Sequence, residues 1–250
     1  MRLLITNDDG VHAKGIHALC KELEKYHDII IVAPDDQRSA TSHSITISKP
    51  LVVKEVELPD IKSKAYSVSG TPADCVRVAT DQIIKDKVDM VVSGINIGYN
   101  LGTDILYSGT VSAAVEATLC SVPAIAVSTE SSAEDYVYEN AAKYIKKVIE
   151  VAVSNKLHED IVLNVNVPPI KDEEIKGIKV CKIGKLQFHH YYKETGKENE
   201  NLVYKLEGER VVNHVEETDS YYVDDGYVTV TPLHYDLTNF NILKDVGKWF

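Results

Sequence analysis

The chain has 250 residues, 44% of them hydrophobic and 26% charged, which suits one large globular domain or two small ones and a core needing no disulfide or structural metal. A formal net charge of −11 argues against non-specific nucleic-acid binding, which requires a basic surface. No apolar run approaches the roughly 18 residues of a membrane span, no basic-then-apolar leader opens the chain, and four scattered cysteines (Cys20, Cys75, Cys120, Cys181) without a CxxC suit free thiols, buried among apolar neighbours for the first three, in a reducing, cytoplasmic compartment.

In chain order, residues 2–6 predict a short buried strand and 15–26 a helix with apolar positions at helical spacing. IIIVAP at 29–34 predicts a second buried strand. SITIS at 44–48 and LVVKEVEL at 51–58 predict a hairpin or excursion. A helix is expected over 71–84, with Thr71 as N-cap and Pro72 in its first position. DMVVSGI at 89–95 is a further buried strand, followed by a glycine-rich loop, a small-residue helix over 108–120 and a strand over 123–128. A longer amphipathic helix over 133–153 and a strand over 161–167 close this part. Buried strands alternating with helices predict an α/β fold, a mostly parallel sheet with helices on both faces in a Rossmann-like three-layer arrangement. After Pro168-Pro169 the character changes to a β-rich C-terminal arm, with a strand over 226–233 and a terminal helix over 236–248. The expected division is a catalytic core over 1–168 and a segment over 169–250 that completes the same domain and carries oligomer contacts.

Four stretches bear chemistry: NDDG at 7–10, PDDQRSATSH at 34–43, SGINIGYNLG at 93–102 and SGT at 108–110. Each falls after a predicted strand, and a parallel sheet would gather all four beyond the carboxyl ends of its strands, where ligands bind. Asp8 and Asp9 suit a turn with Asp9 as a helix cap, or a divalent-metal site, since adjacent carboxylates repel and need a cation or solvent. Ser39 sits in a loop that is either merely solvated or able to bring a hydroxyl to that metal. Asn96, flanked by glycines, is either a turn asparagine or a hard amide-oxygen donor suited to Mg²⁺ or Mn²⁺. Ser108, Gly109 and Thr110 open a helix, as a plain N-cap or as an anion site. Histidines 12, 43, 189 and 190 have no partner spacing and take no metal role. Walker-A, GxSxG, HExxH and GxGxxG patterns are all missing.

These stretches, together with VSGTPADCV and GYVTVTPL, resemble the SurE family of survival proteins, in the family's order and over nearly the whole chain to residue 233. The resemblance implies a metal-dependent 5′-nucleotidase that releases phosphate from nucleoside monophosphates, with some activity on 3′-nucleotides and polyphosphate. It implies one divalent ion per subunit, Mg²⁺ or Mn²⁺, on Asp8, Asp9, Ser39 and Asn96. Phosphate is then expected on Ser108, Gly109 and Thr110 together with Asn96, and catalysis on Asp8, Asp9 and Asn96. A homodimer or homotetramer is expected, without nucleic-acid or membrane partners. Ser112 and Ala117 stand where the family often has glycine, and segment 187–222 is distinctive, which bears on helix packing and on the subunit contacts.

Two rival readings differ in kind. A haloacid-dehalogenase-type phosphatase needs an aspartate nucleophile in DxDx[TV], but that position here is Asn7. A nucleotide-binding module without turnover is the other; the intact ligand set disfavours it.

Overall fold

The computed structural model describes residues 1–131, 134–185, 188–199, 201–210 and 215–250, with backbone alone for 188–190 and 210. Strand β1 (Arg2–Thr6) leads to helix α1 (Lys14–Leu23), β2 (Asp28–Pro34), β3 (Val53–Val56), β4 (Ala65–Val68) and α2 (Pro72–Val78). Then come β5 (Met90–Ile97), α3 (Gly109–Leu119), β6 (Ala124–Thr129), α4 (Tyr136–Ser154) and β7 (Val162–Val167). The C-terminal part adds β8 (Ile178–Val180), a hairpin of β9 (Phe188–Glu198) and β10 (Asn201–Arg210), α5 (Asp219–Asp224), β11 (Val228–Leu233) and α6 (Phe240–Val246).

Nine strands form one sheet in the order β3-β4-β2-β1-β5-β6-β7-β11-β8, and β9 and β10 form a separate antiparallel pair. From β4 to β7 every pairing is parallel; β3 joins β4 and β11 joins β7 antiparallel. Side chains alternate across this sheet, so Leu3 and Ile5 enter one core with α1 and α4, while Leu4 enters the other with α2 and α3. Both faces are covered, which explains why β1, β2 and β5 are apolar without alternation. The expected three-layer α/β fold is present.

The differences lie in short or edge elements. Residues 44–48 form no strand. Their polar groups serve the start of α2 instead: Thr46 N donates to Asp74 Oδ1 at 3.0 Å and Thr71 Oγ1 donates to Ser44 O at 2.7 Å. The helix expected over 71–84 stays α-helical only to Val78 and finishes in a wider turn over Ala79–Ile83. β4, β8 and α5 were not anticipated. Residues 96–97 are strand rather than loop, because β5 shifts register between Ser93 and Asn96 and resumes pairing with Asn96 opposite Ser128. The start of the helix expected at 133, and residues 187, 200 and 211–214 of the distinctive segment, lie outside the described residues. All four cysteines are free; Cys20, Cys75 and Cys181 are buried and Cys120 is half-buried. Among the described residues no helix is long and apolar enough to cross a membrane.

Candidate active site

β1 delivers Asp8 straight into the protein interior, where it is 4% exposed. The preceding turn is held by Asn7 Nδ2, which donates to Gly10 O at 2.9 Å. Asp8 Oδ1 accepts from the Thr110 hydroxyl on α3, and its backbone carbonyl accepts from Arg38 N at 2.7 Å. Gly109 is required for this approach, since a Cβ there would stand 2.8 Å from Asp8 Cβ and 2.9 Å from Oδ2. Asp9 is less enclosed. Its Oδ2 accepts from Ile97 N at 3.2 Å, and its Oδ1 lies 3.4 Å from Gln37 Nε2. The same Gln37 nitrogen donates to Ser39 Oγ at 2.9 Å, so one amide joins the loop hydroxyl to the carboxylate. All four stretches thus meet at one sheet edge: 7–10 touches 34–43 through Arg38 and Gln37, 93–102 through Ile97, and 108–110 through Thr110.

Charge at this edge is uncompensated. Burial pushes the Asp8 carboxyl up to about 6, with the Thr110 hydrogen bond pulling it back and the Asp9 charge adding to the rise. Burial also raises Asp9, offset by the Ile97 amide and Gln37. The nearby cations are engaged elsewhere: Arg38 with Asp35 and Lys14 with Asp135, each at 2.9 Å. Among the described residues no basic side chain forms an ion pair with Asp8 or Asp9. Two adjacent carboxylates enclosed without a counter-ion are the electrostatic signature of a cation site.

The donor chemistry fits a hard divalent ion. Asn96 Nδ2 donates to Gly98 O at 2.7 Å, which commits the amide nitrogen and leaves the oxygen as a ligand atom. Asp8, Asp9, Ser39 and Asn96 together offer oxygen only, with no thiolate or imidazole. Among the described residues no group of three or more His, Cys, Asp or Glu side chains is placed to hold a metal.

Ser108, Gly109 and Thr110, the expected phosphate turn, open α3. Ser108 Oγ accepts from Val111 N at 3.0 Å as the N-cap, and both the hydroxyl and the amide of Thr110 face Asp8. The Gly109 amide and the positive end of the α3 dipole lie at this turn, where an anion would be favoured.

The segment between Asn96 and Ser108 is fixed by a buried polar network that sequence reasoning missed. Asn100 N donates to Asn166 Oδ1 at 2.9 Å and Asn100 Nδ2 to Ser128 Oγ at 2.7 Å. Asn100 O accepts from Asn164 and Asn166 at 2.8 and 3.1 Å. Two asparagines inside the apolar strand IVLNVNV were a legible signal, because buried amides need partners. Gln37 carried no such signal. His43 pairs with Glu116 at 2.6 Å on the far side of the 34–43 loop, and Arg77 reaches the same carboxylate at 3.1 Å. His12 lines a groove of about 580 Å³ between α1 and α4, beside the site. The His189 and His190 side chains lie outside the described residues.

The comparisons with known proteins agree in direction. A family model described as "Survival protein SurE" matches residues 3–190. The chain is 53% identical over 250 residues to a 5′-nucleotidase SurE of Clostridium tetani (strain Massachusetts / E88), covering all of both chains. It is also 53% identical over 253 residues to a 5′-nucleotidase SurE of Clostridium botulinum (strain ATCC 19397 / Type A), covering all of this chain and 99% of the relative. Among solved structures, the SurE protein from Aquifex aeolicus superposes with a TM-score of 0.86 at 38% identity, over 100% of this chain and 99% of that one.

Proposed function

The chain belongs to the SurE family, and from that premise we propose that it is a divalent-metal-dependent phosphomonoesterase that converts nucleoside 5′-monophosphates to nucleoside and phosphate. Its class, 5′-nucleotidase, follows from full-length relatives at more than 50% identity. One observation carries the finer reading: two uncompensated carboxylates packed against the opening turn of α3.

On this reading Asp8, Asp9, Ser39 and Asn96 would hold one Mg²⁺ or Mn²⁺ per subunit. When bound, the ion supplies positive charge against the phosphoryl oxygens and acidifies water. Thr110 keeps Asp8 fixed while the phosphate enters. The Gly109 amide, with Asn96 and the turn shaped by Ser108 and Thr110, takes the remaining phosphoryl oxygens, and the α3 dipole favours the charge that builds up there. Water attacks phosphorus and its proton passes to Asp8 or Asp9; the bond between phosphorus and the nucleoside oxygen breaks, and that oxygen leaves as a hydroxyl after taking a proton from the carboxylic acid or from solvent. Asn7, at the position where a haloacid-dehalogenase-type phosphoenzyme route needs its aspartate, offers no nucleophile and instead holds the turn by its bond to Gly10.

The same site takes 3′-nucleotides and short polyphosphate, since each presents a compact terminal phosphate. Tyr99 on the half-buried loop stacks on the base and selects loosely among bases. A phosphodiester replaces one oxygen by a bulky ester group and leaves a buried donor unpaired, at about 1–3 kcal/mol. Residues 1–168 serve as the catalytic core and 169–250 complete it, a division supported by β11 pairing with β7 in the main sheet. We assign the protein to the cytoplasm and to a homodimer or homotetramer. The exposed apolar side chains of the hairpin and C-terminus support the oligomer, among them Tyr192 at 71%, Leu237 at 84% and Trp249 at 73% exposed.

The test is phosphate release from AMP, GMP, CMP and UMP with Mg²⁺ or Mn²⁺, with EDTA, and with bis-p-nitrophenyl phosphate as diester. We expect metal-dependent release from all four nucleotides. Undiminished release in EDTA, or faster cleavage of the diester than of every nucleotide, would overturn the proposal.

A further inference from the structure

Asp219 opens α5 with its side chain fully buried. Its Oδ1 accepts from Gly184 N and Ser220 N, each at 2.8 Å, and its Oδ2 accepts from Gly102 N at 2.8 Å. Gly102 lies midway between Asn96 and Ser108, so this bond holds the centre of the segment that joins the cation donors to the anion turn. Capping α5 does not require it, because Thr218 already accepts from Tyr221 N at the helix start. Oδ2 instead reaches a residue 117 positions away.

The other oxygen belongs to the hairpin arm. Gly184 precedes β9 and Asp219 follows β10, so the carboxylate clasps both roots of the arm. Backbone bonds close the same junction: Asp219 N donates to Lys182 O at 3.0 Å and Lys182 N to Glu217 O at 3.2 Å. A Cβ on Gly184 would stand 2.9 Å from Asp219 Oδ1, so the close approach needs glycine there. One carboxylate therefore touches the arm root with one oxygen and the site segment with the other.

We propose that Asp219 is a positioning residue for the reaction: it sets the 98–108 segment relative to Asp8 and Asp9 and couples that segment to the root of the β9–β10 arm. The proposal rests on the site reading above. It makes the C-terminal part a structural component of each active site, beyond any role in subunit contact.

Asp219→Asn is the discriminating variant. Keeping Oδ1 for Gly184 and Ser220 turns the new NH₂ toward the Gly102 N–H, so two donors face each other and only the site bond is lost. Hydrogen–deuterium exchange over 98–108 is expected to rise by about tenfold, with β1 and β5 unchanged. KM for AMP is expected to rise by about tenfold while kcat changes little. Unchanged exchange over 98–108, or an unchanged KM in a variant that circular dichroism shows to be folded, overturns the proposal. Should the variant not fold, exchange of the Gly102 amide in the wild-type protein decides instead: a protected amide supports the bond and one exchanging at the rate of open loop refutes it. A wild type that releases no phosphate with any metal overturns the site reading and the catalytic part of this proposal with it, whereas the exchange comparison still decides whether Asp219 holds the segment.

Discussion

Replacing Asp8 by asparagine should separate stability from activity, in opposite directions. The Asp8 carboxyl stands at about 6 in the folded protein against an ordinary 3.8, chiefly because burial disfavours its charge. A group raised on folding contributes stability that is full below its unfolded value and is lost as pH rises through its folded value. In metal-free protein the Asp8 contribution is therefore present below about pH 4 and gone above about pH 6, a difference of about 3 kcal/mol. Asparagine has the same shape and still accepts from Thr110, but carries no charge. At pH 7.5 in EDTA the Asp8→Asn protein should be more stable than wild type by about 1–3 kcal/mol, raising Tm by about 2–10 °C. That gain should shrink towards pH 4, where wild-type Asp8 is already neutral.

With metal present the order reverses. Wild type gains stability by mass action when the ion binds folded protein only, and protons compete for Asp8 below about pH 6. The variant, lacking one anionic ligand, should show little response to Mn²⁺ and lose most phosphate release. The assay is thermal unfolding at pH 5 and 7.5, with EDTA and with Mn²⁺, alongside phosphate release at pH 7.5. A variant less stable than wild type in EDTA at pH 7.5, with circular dichroism unchanged, would refute the electrostatic reasoning. Near-full turnover would refute the ligand assignment.

Gly109→Ala places a methyl group 2.8 Å from Asp8 Cβ and must push the α3 start away from the carboxylate, so kcat/KM should fall by about 100-fold or more with a modest change in Tm; activity within about threefold of wild type would show that the approach is not needed. Excising 188–210 with a short turn in its place should lower the mass seen by light scattering, because the exposed hairpin lacks a core of its own. A full-length protein already monomeric at micromolar concentration would remove the assembly role.

The legible parts of this molecule are those whose causes are local in sequence. β1, β2, β5, β6 and β7 are covered on both faces, so each had to be a short apolar run, and such runs stand out. Asp8 and Asp9 stand out because they follow such a run directly, and Ser108–Thr110 because they open the small-residue helix after another; the parallel pairing brings them together. β4 did not stand out: its AYSV contains a half-buried Tyr66 and a buried Ser67, and its strand state depends on β2 and β3 beside it. Residues 44–48 alternate like a strand, but Asp74 on α2 and its N-cap Thr71 take their polar groups, and that competition cannot be read from SITIS alone.

The site follows the same division. Carboxylates and amides with metal chemistry are visible as residue types, whereas the groups that hold them are visible only through long-range partners. Gln37 acts on Asp9 from 28 residues away and Thr110 on Asp8 from 102. This matters for Asp8, since a buried carboxylate without a cation is costly and can point the wrong way unless its neighbours fix it. Thr110, Gly109 and the Arg38 amide hold Asp8 in place without neutralising it, while Asn100 and Asp219 hold the segment that faces it. On the proposed reading, a site so arranged keeps its electrostatic tension without metal, and a bound cation would relieve it. Binding energy would then not be spent on moving the ligands, and positive charge would already stand where the phosphoryl group develops negative charge.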